Sequence, residues 1–451
     1  MVYTVGYNSY GEMGNGTTQH LTTPWCISKL KIKVNPRTIN YKNIGENSEK
    51  ISYKMTMGFN LIKDNIEGGT YKFSTLDNNI ATVDENTGVV TAQGVGTTYI
   101  KVHNEENNIW AAVKVNVNGK EGKVQPKIVG GYNHYIALKA DGTVWTWGYN
   151  PQGNLGLGDK TNRSKPTKTN MKNVKDIAAG VNFTLVLKKD GTVWATGYNE
   201  YGQLGQNNTT NQKIFVQVMD EQGTGKLSNI KAIEAGGNTT YAITNNGEVY
   251  SWGYNTYGQI GIGNTTTQLK PVKTSLESIK QISANQYHAV ALTENGEVYV
   301  SGYNAEGELG IGNNQNSVEK WQKMRNPSNT DDMKNVKQVA TGRYHTMVLT
   351  NDEKVYATGY NNTKQLADGT TTTRNLLKPM KDSTDKEITN VKTIEAAGYS
   401  SYIITNNNEL YSAGYNNYGQ QFQNNTTDVA KLTKIKTEIG IERIAATKMQ
   451  D

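Results

Sequence analysis

The sequence predicts an all-β ring of seven similar units, a β-propeller, interrupted by one inserted β-rich domain. Three observations predict it. The triplet Gly-Tyr-Asn recurs at one phase, starting at Gly6, Gly148, Gly197, Gly253, Gly302, Gly359 and Gly414. From the second onward the spacings are 49, 56, 49, 57 and 55 residues. A period of that size marks an architecture in which each unit buries its apolar face against its neighbours. The first gap is 142 residues, one such period plus about 90 more, which is the size of a small inserted domain. Tight-turn pairs also recur at one phase: Asp141-Gly142, Asp190-Gly191, Asn246-Gly247, Asn295-Gly296, Asp352-Glu353 and Asn407-Asn408. Such pairs tolerate the positive φ of a two-residue hairpin.

One unit reads as four antiparallel strands, A to D from the centre outward. Ile128-Val129 ends strand A, and Gly130-Gly131-Tyr132-Asn133 turns the chain. His134 to Lys139 alternates as strand B, and Val144 to Trp147 returns as strand C after the Asp141-Gly142 hairpin. Gly153, Gly156 and Gly158 punctuate the loop that follows. Lys165 to Lys168 then forms an outer edge strand, where Pro166 does least harm. Strand C carries a large aromatic at one phase, Trp145, Trp194, Tyr250, Tyr299, Tyr356 and Tyr411. A fixed phase on a pleated strand is a fixed face, so these rings are expected to pack blade against blade.

Composition narrows the class. The 451 residues are 35% apolar and 19% charged. The polarity comes from Asn, Thr, Gly and Tyr, which suits short strands and tight turns rather than disorder. Lys and Arg number 47 against 40 Asp and Glu, for a net charge of +7. The basic residues are scattered, so no nucleic-acid arm is expected. No apolar run approaches the length of a membrane span, and Met1-Val2-Tyr3-Thr4 lacks the start of a signal peptide. The single cysteine, Cys26, excludes an internal disulfide.

The repeat resembles a known family. Ala178-Ala179-Gly180, then His134, Phe183, Thr240, His288, His345 and Ser401 taken as one repeat position, then the hairpin turn, then Trp-Gly-Tyr-Asn-x-x-Gly-x-Leu-Gly, are similar to the regulator of chromosome condensation repeat. Good matches to its glycine-rich loop are Gly148–Gly158, Gly197–Gly205, Gly253–Gly263 and Gly302–Gly312. The loop at Gly359–Gly369 departs from it, with Lys364 where glycine is expected, and Gly414–Gln423 loses its later glycines. The resemblance implies a seven-bladed propeller, the number that the triplets already give.

The expected organisation is a first propeller segment over 1–30, an insert over 31–120 and the remaining blades over 121–451. Within the insert, strand-like runs are Lys31–Val34, Ile51–Met57, Tyr71–Ser74, Val89–Thr91, Thr98–His103 and Trp110–Val117. They predict a small immunoglobulin-like β-sandwich. The stretch from Phe73 through Asn79-Ile80-Ala81-Thr82-Val83-Asp84 and Gly88-Val89-Val90-Thr91-Ala92 to Ile100 resembles the group-2 bacterial immunoglobulin-like domain, a family of bacterial and phage surface proteins. Asp84-Glu85-Asn86 reads as a turn rather than a calcium site. The ring is expected to close with 439–446 as strand A of the seventh blade, Val2–Val5 as its strand C and Trp25–Lys29 as its strand D. That blade either has three strands or belongs to a longer array from which this chain is a piece.

No metal-ligand spacing, nucleophile motif or phosphate loop is present, and the glycine-rich loops open no helix. Neither a cofactor nor a metal is expected, and the chain is read as no enzyme. His134, His288 and His345 repeat around the ring, so they do not converge and are expected to cap the A–B turns. Function is expected on the face that gathers the A–B loops and the Gly-Tyr-Asn exits, with the insert projecting from the opposite, hairpin-turn face. The A–B loops vary between units, and Tyr and Arg are typical interface anchors. Tyr132, Tyr287, Arg343, Tyr344 and Tyr399 are therefore the candidate partner-binding residues. The expected partner is a protein or a cell-wall or cell-surface polymer. The expected role is a non-catalytic binding or adhesion module on a bacterial surface or secreted. The alternative is an inhibitor or regulator of another enzyme, of the β-lactamase-inhibitor kind or, less in keeping with a bacterial insert, small-GTPase nucleotide exchange.

Overall fold

The computed structural model describes residues 3–6, 21–26, 38–41, 71–78, 80–83, 85–86, 90–92, 96–104, 109–117 and 124–435. Among them every regular element is a β-strand. Strands β1 (Tyr3–Gly6) and β2 (Leu21–Cys26) pair as a two-stranded sheet.

Six four-stranded antiparallel sheets follow the sequence units in order. Blade I holds β9 (Lys127–Gly130), β10 (His134–Leu138), β11 (Val144–Gly148) and β12 (Arg163–Lys168). Blade II holds β13 (Val174–Ala179), β14 (Phe183–Lys188), β15 (Val193–Gly197) and β16 (Gln212–Gln217). Blade III holds β17 (Ile230–Gly236), β18 (Thr239–Thr244), β19 (Val249–Gly253) and β20 (Gln268–Lys273). Blade IV holds β21 (Ile279–Ala284), β22 (His288–Thr293), β23 (Val298–Tyr303) and β24 (Ser317–Lys323). Blade V holds β25 (Val336–Thr341), β26 (His345–Thr350), β27 (Val355–Gly359) and β28 (Arg374–Pro379). Blade VI holds β29 (Val391–Ala397), β30 (Ser400–Thr405), β31 (Leu410–Gly414) and β32 (Val429–Lys434). The architecture is the seven-bladed propeller, and β1 and β2 form a separate two-stranded sheet. The expected closing strand at 439–446 lies outside the described residues. Of the outer strand expected at Trp25–Lys29, Trp25 and Cys26 fall in β2, and 27–29 lie outside the described residues.

Neighbouring blades share their cores. Leu185, Leu187 and Val193 of blade II form one buried cluster with Ile230, Ile233 and Trp252 of blade III. Tyr250 packs on that cluster, and Tyr299, Tyr356 and Tyr411 do the same at the later junctions. Four of the six strand C aromatics thus pack between blades. Near the axis, glutamines clamp the next blade. The Gln281 amide donates to Val339 O at 2.9 Å and accepts from Val339 N at 3.2 Å. Gln338 repeats this on Ile394 at 2.8 and 3.1 Å.

The Gly-Tyr-Asn asparagine holds each C–D loop shut. Asn150, Asn199, Asn255, Asn304, Asn361 and Asn416 are all fully buried. In blade III, Asn255 Nδ2 donates to Asn264 O and Thr266 O at 2.9 and 3.0 Å, while its Oδ1 accepts from Ile260 N at 3.0 Å. A buried backbone N–H must find an acceptor, so one amide side chain replaces a strand partner for the whole loop. The loops that lack glycines keep the same conformation. Lys364 and Ala367 sit at φ +69° and +50°, and Phe422 at +58°. The hairpin turns behave alike, with Gly142 at +76° and Glu353 forced to +64°.

Two expected positions shift by one residue. Strand pairing sets Thr239 opposite Gly253 and Ser400 opposite Gly414, as His134 stands opposite Gly148. Thr239 and Ser400, rather than Thr240 and Ser401, therefore hold the histidine position. The cause is a glycine at the second position of the loop. Gly237 and Gly398 lie at φ +58° and +52°, in the place that Val181 takes in blade II.

The chain divides into two compact units, of which the second carries the blades and the first spans Cys26–Pro126 with Lys139–Gly142. Within the first unit, β3 (Thr38–Tyr41) pairs in parallel with β8 (Ile109–Val117). Strand β8 pairs with β7 (Gly96–Asn104), and β7 with β4 (Tyr71–Thr75). A separate hairpin joins β5 (Ala81–Val83) and β6 (Val90–Ala92). Phe73, Ala81, Val90, Ile100 and Val115 are buried, so both sheets bury apolar side chains. The runs expected at Lys31–Val34 and Ile51–Met57 lie outside the described residues.

Candidate functional site

One backbone bond recurs in every complete blade and builds the site. The N–H of the Gly-Tyr-Asn tyrosine donates to the last residue of the A–B loop. The pairs are Tyr149 to Asn133, Tyr198 to Asn182, Tyr254 to Asn238, Tyr303 to Tyr287, Tyr360 to Tyr344 and Tyr415 to Tyr399, at 2.7–3.0 Å. The strand C exit and the A–B loop are thereby held side by side, and so are their side chains. In blades I to III the loop residue is asparagine. In blades IV to VI it is tyrosine. The scaffold repeats, but the surface it carries is lopsided.

The result is a continuous arc of rings. Tyr198, Tyr201, Tyr254 and Tyr257 run in sequence with centroids 4.9–6.4 Å apart. Tyr257 then meets Tyr287 and Tyr303 at 5.3 and 5.1 Å. Tyr287 stacks on Tyr344 at 5.5 Å with an interplanar angle of 22°. Tyr344 reaches Tyr360 and Tyr399, and the arc ends through Tyr415 at Tyr418. All are half-buried except Tyr418, which is exposed. Offset and edge contacts of this kind stabilise one another by about 0.5–1.5 kcal/mol each, so the surface is set before any partner arrives.

Arg343 lies inside the densest part of the arc. Its guanidinium is 5.3 Å from the Tyr344 ring and 5.5 Å from the Tyr399 ring. Desolvation opposes its charge, but the phenol groups of Tyr399, Tyr344 and Tyr287 outweigh that effect and its pKa lies above the ordinary value. Burial also pushes the Tyr344 hydroxyl well up, against the pull of Arg343. The Arg343 Nε is buried without a hydrogen-bond partner.

Of the five residues expected from sequence, the structure brings Tyr287, Arg343, Tyr344 and Tyr399 together. Tyr132 stands in the loop of blade I at the place corresponding to Arg343, two residues before the histidine position. Its N–H donates to Val181 O at 3.1 Å. Sequence reasoning missed the Gly-Tyr-Asn tyrosines and the C–D loop tyrosines Tyr201, Tyr257 and Tyr418. The signal was present, since Tyr-Gly follows Gly-Tyr-Asn-x in four of the units.

Beneath the arc lies a layer of buried amides. Gln203, Gln259, Glu308 and Gln365 hold one repeat position and are fully buried. Glu308 is the one acid among them. Burial raises its carboxyl well above the ordinary range, which favours the neutral form. Instead of capping the A–B turns as expected, each histidine ring bonds to the next blade, and its Nδ1 has no partner. His134 lies against Gly131, where a Cβ would come within 2.2 Å of its ring, and its Nε2 is 3.0 Å from Thr184 Oγ1 of the next blade. Thr184 gives its one proton to Asn154 O at 2.7 Å, so His134 Nε2 carries the hydrogen. His288 reaches Thr346 and His345 reaches Ser401, each at 3.0 Å. Burial depresses His134 to about 4 and the other two to about 3, so all three are neutral latches between blades. No group of three or more metal-ligating side chains occurs among the described residues. No helix there is long and apolar enough to cross a membrane.

The family model for the RCC1-like domain matches residues 59–381. The chain belongs to the RCC1-like domain family. The ultraviolet-B receptor UVR8 of Arabidopsis thaliana is 33% identical over 149 residues, which are 33% of this chain and 22% of that receptor. The chain thus spans about a fifth of that relative's length in the match. Among solved structures, human WBSCR16 superposes with a TM-score of 0.62 at 20% identity, covering 72% of this chain and 86% of the other. Prp20p of Saccharomyces cerevisiae, described with its binding to Gsp1p and histones, gives a TM-score of 0.58 at 22% identity, covering 69% and 77%. At these identities the two structures share the RCC1-like fold.

Proposed function

We propose that this chain is a non-catalytic protein-binding module whose partner docks on the tyrosine face of blades IV to VI. One observation carries the reading. Asn133, Asn182 and Asn238 give way to Tyr287, Tyr344 and Tyr399 at a loop position whose backbone geometry is the same in all six complete blades. The fold does not require tyrosine there, yet three successive blades present it. Half-buried tyrosine offers large area at low entropic cost, together with a hydroxyl for polar contacts. The Prp20p propeller is described as binding Gsp1p and histones, which supports a protein as partner.

Display on a bacterial surface, or secretion, belongs to the same proposal. It rests on the resemblance of the Phe73–Ile100 stretch to bacterial immunoglobulin-like domains. The inhibitor form of the reading uses the same face, with an enzyme as the partner.

The test is paired affinity capture on immobilised wild type and Tyr344→Ala/Tyr399→Ala, offering extracellular host proteins and a β-lactamase panel. A defined protein held by the wild type and lost by the double variant supports the reading. Equal retention of every captured protein by both contradicts it.

A further inference from the structure

Arg343 is the feature of this face that the fold does not explain. The corresponding loop position is Tyr132, Val181, Gly237, Gln286 and Gly398 in the other blades, so nothing in the repeat calls for a cation. Its backbone N–H is already used, donating to Gly398 O at 2.8 Å. Its side chain is half-buried, and no ion pair with a carboxylate is formed among the described residues. Its neighbours are the ring faces of Tyr344 and Tyr399 and the Tyr287 hydroxyl, which accepts one hydrogen bond and leaves the other donors without a carboxylate. A guanidinium has five donors in a planar fork, and a desolvated one without an acceptor costs stability. Nε is buried and unpartnered, so an incoming group can meet only the terminal nitrogens. Glu308, fully buried in the same sector, is not paired with it and keeps one oxygen without a partner.

We propose that Arg343, held between Tyr287, Tyr344 and Tyr399, is the receptor for a carboxylate on an acidic peptide segment of the protein partner. The inference rests on the reading of the tyrosine face as a docking surface and names its central contact. A carboxylate matches the guanidinium fork with two parallel hydrogen bonds. The rings on either side exclude water from that pair and offer apolar contact to residues flanking the acid. The chain's net charge of +7 favours the approach of an acidic segment at long range.

The experiment uses the full chain and a fluorescein-labelled random copolymer of glutamate and tyrosine, read by anisotropy at low and high salt. The wild type is expected to bind, with affinity falling as salt rises. Loss of one partner of a desolvated charge pair weakens binding by at least about tenfold, so Arg343→Gln is expected to do so. Arg343→Lys, which keeps the charge without the fork, is expected to fall between. Lys392→Gln, at the one exposed position of β29, is the control for general electrostatics and is expected to change nothing. Thermal melting of each variant checks that it folds. Three results overturn the proposal. They are no copolymer binding by the wild type, equal binding by Arg343→Gln, or preferential binding of sodium polygalacturonate, an acidic polysaccharide. If Arg343→Gln binds normally while Tyr344→Ala/Tyr399→Ala does not, the docking face stands and the carboxylate contact falls. If neither variant matters, both fall.

Discussion

Replacing the three buried histidines with phenylalanine is expected to flatten the acid branch of the stability profile. The structure supplies the variant, because Phe183 already occupies this position in blade II, fully buried against Gly180 as His134 is against Gly131. The folded-state values are about 4 for His134 and about 3 for His288 and His345, against 6.5 for an exposed ring. Below pH 6.5 the unfolded chain takes up a proton at each site and the folded chain does not. Stability is therefore fully present above pH 6.5 and is lost as the pH falls towards the folded values. By pH 4.5 each ring has removed about 2–3 kcal/mol, which for three rings is comparable to the whole stability of a typical domain. The substitution also deletes three hydrogen bonds to Thr184, Thr346 and Ser401, at about 1 kcal/mol each. The triple variant is thus expected to be less stable than the parent at pH 7.5 and more stable at pH 4.5. Urea denaturation followed by tryptophan fluorescence across pH 4–8 reads this directly. Two profiles that stay parallel through the whole range would refute the assignment of neutral, buried rings.

Three further outcomes follow from single positions. Glu308→Gln restores the amide found at Gln203, Gln259 and Gln365, so it is expected to raise the urea midpoint at pH 7. The gain should vanish below the ordinary carboxyl range, because the folded state binds a proton there that the unfolded chain gives up as pH rises. Lys364→Gly relieves a side chain held at φ +69° and is expected to add about 0.5–1 kcal/mol, visible as a higher melting temperature. Asn255→Ala removes the three bonds that shut its loop and leaves the Ile260 N–H buried without an acceptor. It is expected to cost about 3 kcal/mol in denaturation experiments.

The blades were legible because one residue solves the same problem in each. A buried asparagine must take three partners from its own loop, so Asn150, Asn255 and Asn416 recur with their glycine and tyrosine. The hairpin pairs were legible because Asp-Gly and Asn-Gly encode backbone conformation locally. Where the chain departs from glycine, as at Glu353 and Lys364, neighbouring strands impose the conformation and sequence alone does not report it. The histidine position in blades III and VI slipped by one because Gly237 and Gly398 mimic the loop's first glycine, and only strand pairing distinguishes them. The tyrosine arc was half legible. Tyr287, Tyr344 and Tyr399 drew notice by differing from their counterparts. Their contact with Tyr303, Tyr360 and Tyr415 depends on backbone bonds between segments about one hairpin apart, and on contacts between neighbouring blades. Such proximity is a property of the packed ring and has no local signature.

The claim on which the functional account turns is that one sector of a repeating face, blades IV to VI, does the binding. The direct measurement is the affinity of a captured protein partner for two matched variants, Tyr287→Ala/Tyr344→Ala/Tyr399→Ala and Asn133→Ala/Asn182→Ala/Asn238→Ala. The account predicts that the tyrosine variant loses the partner and the asparagine variant keeps it. Equal affinities for the two variants, or loss confined to the asparagine variant, would contradict it.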